Sequence, residues 1–427
     1  MTLLKKYPKE PKKKLLTNLI KSPTKPLTTL LRKTHSPYSV ALKFSLVLFF
    51  VSILFSCATK QNNLQTYISM NMQIFLDRAN NTDTDILVLH NIQLNNINAK
   101  NTITQNIQIK NCSILNGDFT GALVSQVDFS RCNLEHINFS NATLTNVNLA
   151  HSNLKKSNFE NATLINVNLT GANLAKSDFN NMYVFNSILT KSNLNDANVT
   201  KSSFFLSRLN RIIAQYSDFS YSNISNNDIR FSNFLGAKFT NTNLENSNLY
   251  GANLSYTKFS NANLAGSSLQ VANLKSSKIE NSSFTGVIAI GVMFDKSELS
   301  NVNFNNGNLT EARFEESIMT KVNFIACTLK LSSFNWAKIN NANYEKSDLS
   351  KANFKRTKLK STSFISTINK WTNYTMADLS NADFTSANLH KMDVSGANLD
   401  LVNFTRAKNR KTIIGMDRAD NTDTIIH

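Results

Sequence analysis

From Ile109 to Phe404 every fifth residue belongs to one unbroken register, and 57 of its 60 members are Leu, Phe, Ile, Val, Tyr or Met. Ala214, Ala289 and Asn369 are the exceptions. A small or compact residue stands two positions before each large one, as in Ala142, Val147, Ser152, Ser157, Ala162, Val167 and Ala172, and the position between is mostly polar. A period of five is neither the 3.6 of a helix nor the 2 of a strand, so the chain is built from a repeating unit. The choice between Phe and aliphatic centres adds a second period, of 20 residues: Phe119, Phe139, Phe159, Phe179, Phe219, Phe239 and Phe259 share one face, interrupted by Val199. After about residue 280 the aromatics move. Phe284, Phe304, Phe324, Tyr344, Phe364, Phe384 and Phe404 then fill one face, and Phe294, Phe314, Phe334, Phe354 and Tyr374 fill the opposite one. Four repeats per coil make about 15 coils. At an inter-strand spacing of ~4.8 Å these stack to roughly 70 Å.

Spelled out, the unit reads Ala172-Asn173-Leu174, Ala252-Asn253-Leu254, Ala382-Asp383-Phe384 and Ala397-Asn398-Leu399, each followed by two mostly polar residues. This resembles the pentapeptide-repeat family, whose consensus is Ala-Asp/Asn-Leu-X-X. The resemblance implies an all-β fold, a right-handed quadrilateral β-helix over residues 91–408, with the centre and the small residue inward and the other three outward.

Composition agrees with a solenoid. Gly is only 11 of 427 residues, few for the loops of an ordinary all-β domain, and all five prolines precede residue 38. A ladder that uses its backbone N–H groups excludes proline. Asn and Asp at the intermediate positions suit tight corners, because their short side chains bond locally to the backbone. Nearest-neighbour coil contacts supply the stability of such a stack, so its ends need caps.

The first 90 residues read differently. Residues 1–43 form a basic, Pro-containing arm with 11 Lys and Arg against the single acid Glu10. An apolar run occupies 44–57 and ends at Cys57; its 13 apolar-run residues are short for a membrane span and suit the hydrophobic region of an export signal. Leu54-Phe55-Ser56-Cys57 resembles a bacterial lipobox, which implies lipidation of Cys57 and removal of residues 1–56. Two alternatives stand beside it: an uncleaved anchor with the basic arm held in the cytoplasm, and an organellar transit peptide. Without residues 1–56 the chain carries 35 basic and 27 acidic residues, a net charge of +8. Residues 58–90 are read as a linker with a cap helix, and 409–427 as a C-terminal tail or cap. The segments Asp77-Arg78-Ala79-Asn80-Asn81-Thr82-Asp83-Thr84 and Asp417-Arg418-Ala419-Asp420-Asn421-Thr422-Asp423-Thr424 are identical at seven of eight positions. They are either a duplicated boundary or a paired motif for head-to-tail association.

Chemistry is sparse. His35, His90, His136, His151, His390 and His427 show no metal-ligand spacing, and no phosphate loop, nucleophile elbow or acid pair is present. Neither an enzyme nor a cofactor is expected. Cys112, Cys132 and Cys327 occupy the small inward position; the first two, on adjacent coils, are either buried thiols in the place of Ala or a disulfide. Outward positions carry what binding information there is. Ile165, Phe185 and Phe205 are spaced to form a vertical apolar stripe, joined by Tyr183, Ile188, Leu206 and Ile213, with a smaller patch at Ile288, Ile290 and Met293. These are either a contact surface or the mark of a coil irregularity that turns them inward. Lys238, Lys258 and Lys278, resumed after Glu298 and Ile318 by Lys338 and Lys358, form a column that either attracts anions or stays solvated. Lys355, Arg356 and Lys360 add to it, and interleaved exposed aromatics are not expected there.

The expectation is a non-enzymatic, exported and membrane-tethered rod at a bacterial envelope, acting as a structural or protein-interaction module, by self-association or with an unknown protein. A secreted effector is an alternative. So is a DNA-mimicking modulator of gyrase, which the family includes, but such mimics are acidic and this chain is basic. Nucleic acid is not expected as a partner.

Overall fold

The computed structural model describes residues 86–426. The basic arm, the apolar run with Cys57, nearly all of the linker and the first copy of the octapeptide lie outside the described residues. Seven parallel strands stack in sequence order in one sheet: β1 (Leu87–His90), β2 (Ile103–Lys110), β3 (Leu123–Asp128), β4 (Thr143–Thr145), β5 (Thr163–Ile165), β6 (Tyr183–Phe185) and β7 (Ser203–Phe205). Six more form a second parallel sheet: β8 (Lys238–Thr240), β9 (Lys258–Ser260), β10 (Lys278–Glu280), β11 (Glu298–Ser300), β12 (Ile318–Thr320) and β13 (Lys338–Asn340). Partners are 20 residues apart throughout, from Leu87↔Ile107 to Ile318↔Lys338. Single parallel bridges at the same step, such as Asn153↔Asn173 and Asn248↔Ser268, complete the other faces. The result is an all-β solenoid of four-sided coils.

One repeat shows why the sequence folds this way. In Asn158-Phe159-Glu160-Asn161-Ala162, the Asn158 N–H donates to Ile137 O of the preceding coil (2.9 Å), while those of Phe159 and Asn161 donate to Asp178 O (2.7 Å) and Asn180 O (2.9 Å) of the following one. The Ala162 N–H closes a turn onto Phe159 O (3.0 Å). The fifth, that of Glu160, donates to the Asn158 side-chain oxygen (2.8 Å). All five donors are satisfied, as buried and half-buried backbone requires. The same side-chain bond recurs at Asp128, Asn168, Asn253 and Asp383, which is the physical basis of the Asn/Asp preference.

The corner itself lies elsewhere than the sequence suggested. The residue with positive φ is the second after each centre, for example Asn141 (57°), Asn161 (57°) and Asn181 (55°). Asn and Gly suit this left-handed conformation best. The intermediate Asn or Asp instead sits in the ladder and caps the turn with its side chain.

Every centre from Ile109 to Phe404 is buried, and so is the small residue two positions before it. Faces are named here by one of their centres. On the Phe119 face the rings of Phe119, Phe139, Phe159 and Phe179 stack at 5.2–5.3 Å. Phe259 then meets Phe284 edge-on at 6.3 Å, the hand-over to the second packing mode. Beyond it, rings on the Phe284 and Phe294 faces stack within their own columns, Phe304 on Phe324 at 5.1 Å and Phe314 on Phe334 at 4.8 Å, and meet across the core edge-to-face, Phe314 to Phe324 at 5.6 Å. Both geometries suit the aromatic quadrupole. Asn369, the one polar centre, is fully buried and accepts the Tyr374 hydroxyl (2.8 Å) while donating to the Thr367 hydroxyl (2.7 Å).

The C-terminal segment caps the stack. Three short 3-10 turns, Arg410–Thr412, Met416–Arg418 and Thr422–Thr424, separate residues that continue the ladder. The N–H groups of Val394, Leu399 and Phe404 donate to the carbonyls of Ile414 (3.0 Å), Asp420 (3.0 Å) and Ile426 (2.8 Å). The second octapeptide thus covers a coil end, with Arg418 O accepting from Gly396 N–H (2.9 Å) and Thr424 Oγ1 from Leu401 N–H (3.0 Å).

Replacing Phe324 with Ala should destabilise the solenoid by about 3–5 kcal/mol, because its stacked neighbours leave little room for collapse. Replacing Asn158 with Ala should cost only about 1 kcal/mol, one local hydrogen bond. Denaturant melts of the two variants measure this, and equal losses would contradict the assignment of inward and outward positions.

Candidate interaction surfaces

The apolar stripe lies on three successive strands of the first sheet, with Ile165 paired to Phe185 and Phe185 to Phe205. Strand alternation sends Leu164, Val184 and Phe204 into the core, so their neighbours point outward. Ile165 and Phe185 are half-buried and Phe205 is exposed; the coil is regular here, and no irregularity turns these side chains inward. The Tyr183 ring lies 5.4 Å from that of Phe205. Round the next corner, Ile188 and the exposed Leu206 line a cleft of about 370 Å³ with Asn166 and Asn186, whose amides are linked at 2.7 Å. Ile213 is exposed two repeats further on. In the smaller patch Ile288 is exposed, and Ile290 and Met293 are half-buried.

The lysine column has the expected register: Lys238↔Lys258↔Lys278↔Glu298↔Ile318↔Lys338↔Lys358. Its charge is lower than the sequence implies. Lys238 pairs with Asp218 of the preceding coil (3.3 Å), and Lys278 with Glu280 on its own strand (3.0 Å). The column ends against Asp378. Only Lys258, Lys338 and Lys358 of the five lack a carboxylate within ion-pair distance among the described residues.

The strongest unpaired basic stretch is one coil segment, Lys351 to Lys360, in which Lys351, Lys355, Arg356, Lys358 and Lys360 are all exposed. Contrary to the sequence expectation, aromatics do accompany it. Trp336 is exposed one coil before and Trp371 one coil after, with the Arg356 guanidinium 4.6 Å from the Trp336 ring centre and the Lys391 ammonium 4.2 Å from that of Trp371. The 20-residue step relating Trp336 to Arg356, and Trp371 to Lys391, was the signal that would have found them.

Inside the core, Cys112 and Cys132 stand on adjacent coils with their Cα atoms 4.5 Å apart and are joined as a disulfide rather than left as thiols. Cys327 is a free thiol, pushed up to about 12 by burial. Burial likewise pushes the Tyr344 and Tyr374 hydroxyls well above their ordinary range. Among the described residues no group of His, Cys, Asp and Glu is arranged to hold a metal ion.

Comparison with known proteins agrees with this geometry. Residues 110–146, 124–161, 142–181, 247–286 and 370–408 match the family described as pentapeptide repeats (8 copies), and 288–364 match the pentapeptide repeat region. The chain belongs to the pentapeptide-repeat family. No curated protein matches it. Among solved structures it is similar to HetL, a pentapeptide-repeat protein involved in heterocyst differentiation regulation in the cyanobacterium Nostoc, at 21% identity over 58% of this chain and 91% of that one, with a TM-score of 0.21. It is also similar to QnrB1, a plasmid-mediated fluoroquinolone resistance protein, at 18% identity over 41% and 94%, with a TM-score of 0.26. A thylakoid-lumen pentapeptide-repeat protein of Arabidopsis thaliana matches at 24% identity over 26% and 68%, with a TM-score of 0.15. Likenesses at this level carry nothing about function.

Three carboxyls tie coils or turns together. Partial burial pushes Asp118, Asp218 and Asp348 up, but hydrogen bonds from Thr120, Ser220 and Ser350, with the charges of Lys100, Lys238 and Lys330, outweigh it and hold all three below the ordinary value of 3.8. A depressed carboxyl contributes stability that is present above its unfolded value and lost as pH falls through its folded one. Thermal melts should therefore be flat from neutral pH to about 4 and fall below it, and Asp218→Asn with Asp348→Asn should shallow that fall. An unchanged acid limb in the double variant would contradict this.

Proposed function

We propose that this chain is a non-enzymatic interaction rod, exported and tethered to a bacterial membrane through lipidated Cys57, with the solenoid outside the cytoplasm. The observation that carries the interaction reading is the in-register stripe of Ile165, Phe185 and Phe205. Burial of these side chains against a partner gains roughly 25 cal/mol per Å², and among the described residues their neighbours leave Ile165 and Phe185 half-buried and Phe205 exposed. The interior supports a non-enzymatic role, since the inward positions are filled by stacked rings and small side chains. A Cys112–Cys132 disulfide fits an oxidising compartment, where such bonds persist. Tethering is supported by the apolar run that ends in Leu54-Phe55-Ser56-Cys57.

Two readouts on the native protein test this. Intact-mass measurement of the membrane-fraction chain should give a protein that begins at acylated Cys57, and a chain that retains Met1 would overturn lipid tethering in favour of an anchor. Charged substitutions at Phe185 and Phe205 should abolish in-cell cross-linking to a partner or a second copy while leaving the thermal transition almost unchanged. A markedly lowered transition would place these residues in the core and end the interaction reading.

A further inference from the structure

The four corners of each coil are not equivalent. Six corner residues with positive φ are Phe, Tyr or Trp, and five of them, Tyr216, Phe231, Tyr256, Trp336 and Trp371, lie on the two corners that frame the Phe294 face; Tyr221 is the exception. Bulky residues are disfavoured in this conformation, which the other two corner columns give mostly to Asn or Gly. Burial does not compensate, because Trp336 is 56% and Trp371 51% exposed.

Charge is arranged in the same way. Arg356 stacks on Trp336 and its Nε lies 3.4 Å from Met376 Sδ, while Trp371 stands in one corner column between Lys351 and Lys391. Lys355 rises from the face between these rails. None of Lys351, Lys355, Arg356 and Lys391 is within ion-pair distance of a carboxylate among the described residues. Across the face, Asn353 and Asn373 accept the N–H groups of Lys355 (3.1 Å) and Thr375 (2.8 Å) through their side-chain oxygens, which leaves their amide N–H donors to an outside acceptor.

From this geometry we infer that the Phe294 face, between the Trp336 and Trp371 corners, binds a linear acidic polysaccharide. Amide donors meet sugar hydroxyls, indole rings at the two edges meet the apolar faces of sugar rings, and the cations meet carboxylate or sulfate groups. Two features favour this over single-stranded nucleic acid, which stacks successive bases on a row of aromatics. The indoles stand on opposite edges of the face, not in a row, and amide donors and cations occupy the surface between them. The inference deepens the interaction reading by naming a partner class. It draws on that reading only for access to extracellular polymers.

Trp336 and Trp371 are the only tryptophans of the chain, so indole fluorescence reports on this surface directly. Detergent-solubilised full-length protein is titrated with polygalacturonate, neutral dextran and oligo(dT). Polygalacturonate should change the emission saturably and in a salt-sensitive way, and dextran should not. Lys355→Glu with Arg356→Glu should weaken binding at least about tenfold with an unchanged thermal melt, whereas Lys201→Glu on a remote corner should leave it intact. An absent response to polygalacturonate, tighter binding of oligo(dT), or equal weakening by Lys201→Glu, which would mean bulk charge alone, overturns the proposal. Those outcomes leave the tethering reading untouched, since it stands on the mass of the membrane-fraction chain.

Discussion

The structure depends on one constraint: each five-residue unit must find partners for five backbone N–H groups while turning a corner. Neighbouring coils take three, as Asn158, Phe159 and Asn161 show, and a tight turn takes the fourth. In repeats of this kind the last is left at the position after the centre, and the Asn or Asp before the centre accepts it; in strand repeats such as Thr163–Ile165 that position belongs to the ladder. Where that residue offers no acceptor, the preceding coil sometimes lends one: the N–H of Gln215 reaches Asn195 (2.9 Å) and that of Glu315 reaches Asp295 (3.3 Å). The same accounting explains why proline is confined to the first 37 residues and why the C-terminal segment must lay carbonyls over the last coil.

Because the backbone is satisfied coil by coil, side chains divide cleanly. Inward positions supply stability through stacked rings and small side chains, with Asn369, Tyr374 and Thr367 hydrogen-bonded to one another. Outward positions are free to vary, and they vary by column. A single exposed residue means little on such a surface. A column of like residues makes a surface, as the apolar stripe does over three successive strands of the first sheet, and the aromatics beside the Phe294 face recur at intervals along two corner columns.

Much of this was legible in the sequence, because a fixed period converts spacing into geometry. The four-sided coil, the shift of aromatics near residue 280 and the registers of the Ile165 and Lys238 columns follow from steps of five and 20, and the inward pair from the resemblance to pentapeptide repeats. What escaped was contact between columns or across two repeats. The positive-φ position was misplaced because Asn is common at both sites. Neutralisation of Lys278 by Glu280 depends on which way two side chains on one strand lean. Trp336 over Arg356 and Trp371 over Lys391 occupy corner columns of mixed residue type, where no single repeat looks unusual. The disulfide was geometrically open, and sequence spacing alone did not choose between bond and thiols.

The account rests on side-chain capping of the fifth N–H, and residue-resolved amide hydrogen exchange tests it most directly. Protection should appear at the amides of Glu160, Thr170 and Ser130, each held by the Asn or Asp two residues before it. It should be absent at Ile290 and Lys370, whose corresponding residues are Ile288 and Ile368. Equal protection at both sets of amides would contradict the claim that Asn and Asp close the repeat.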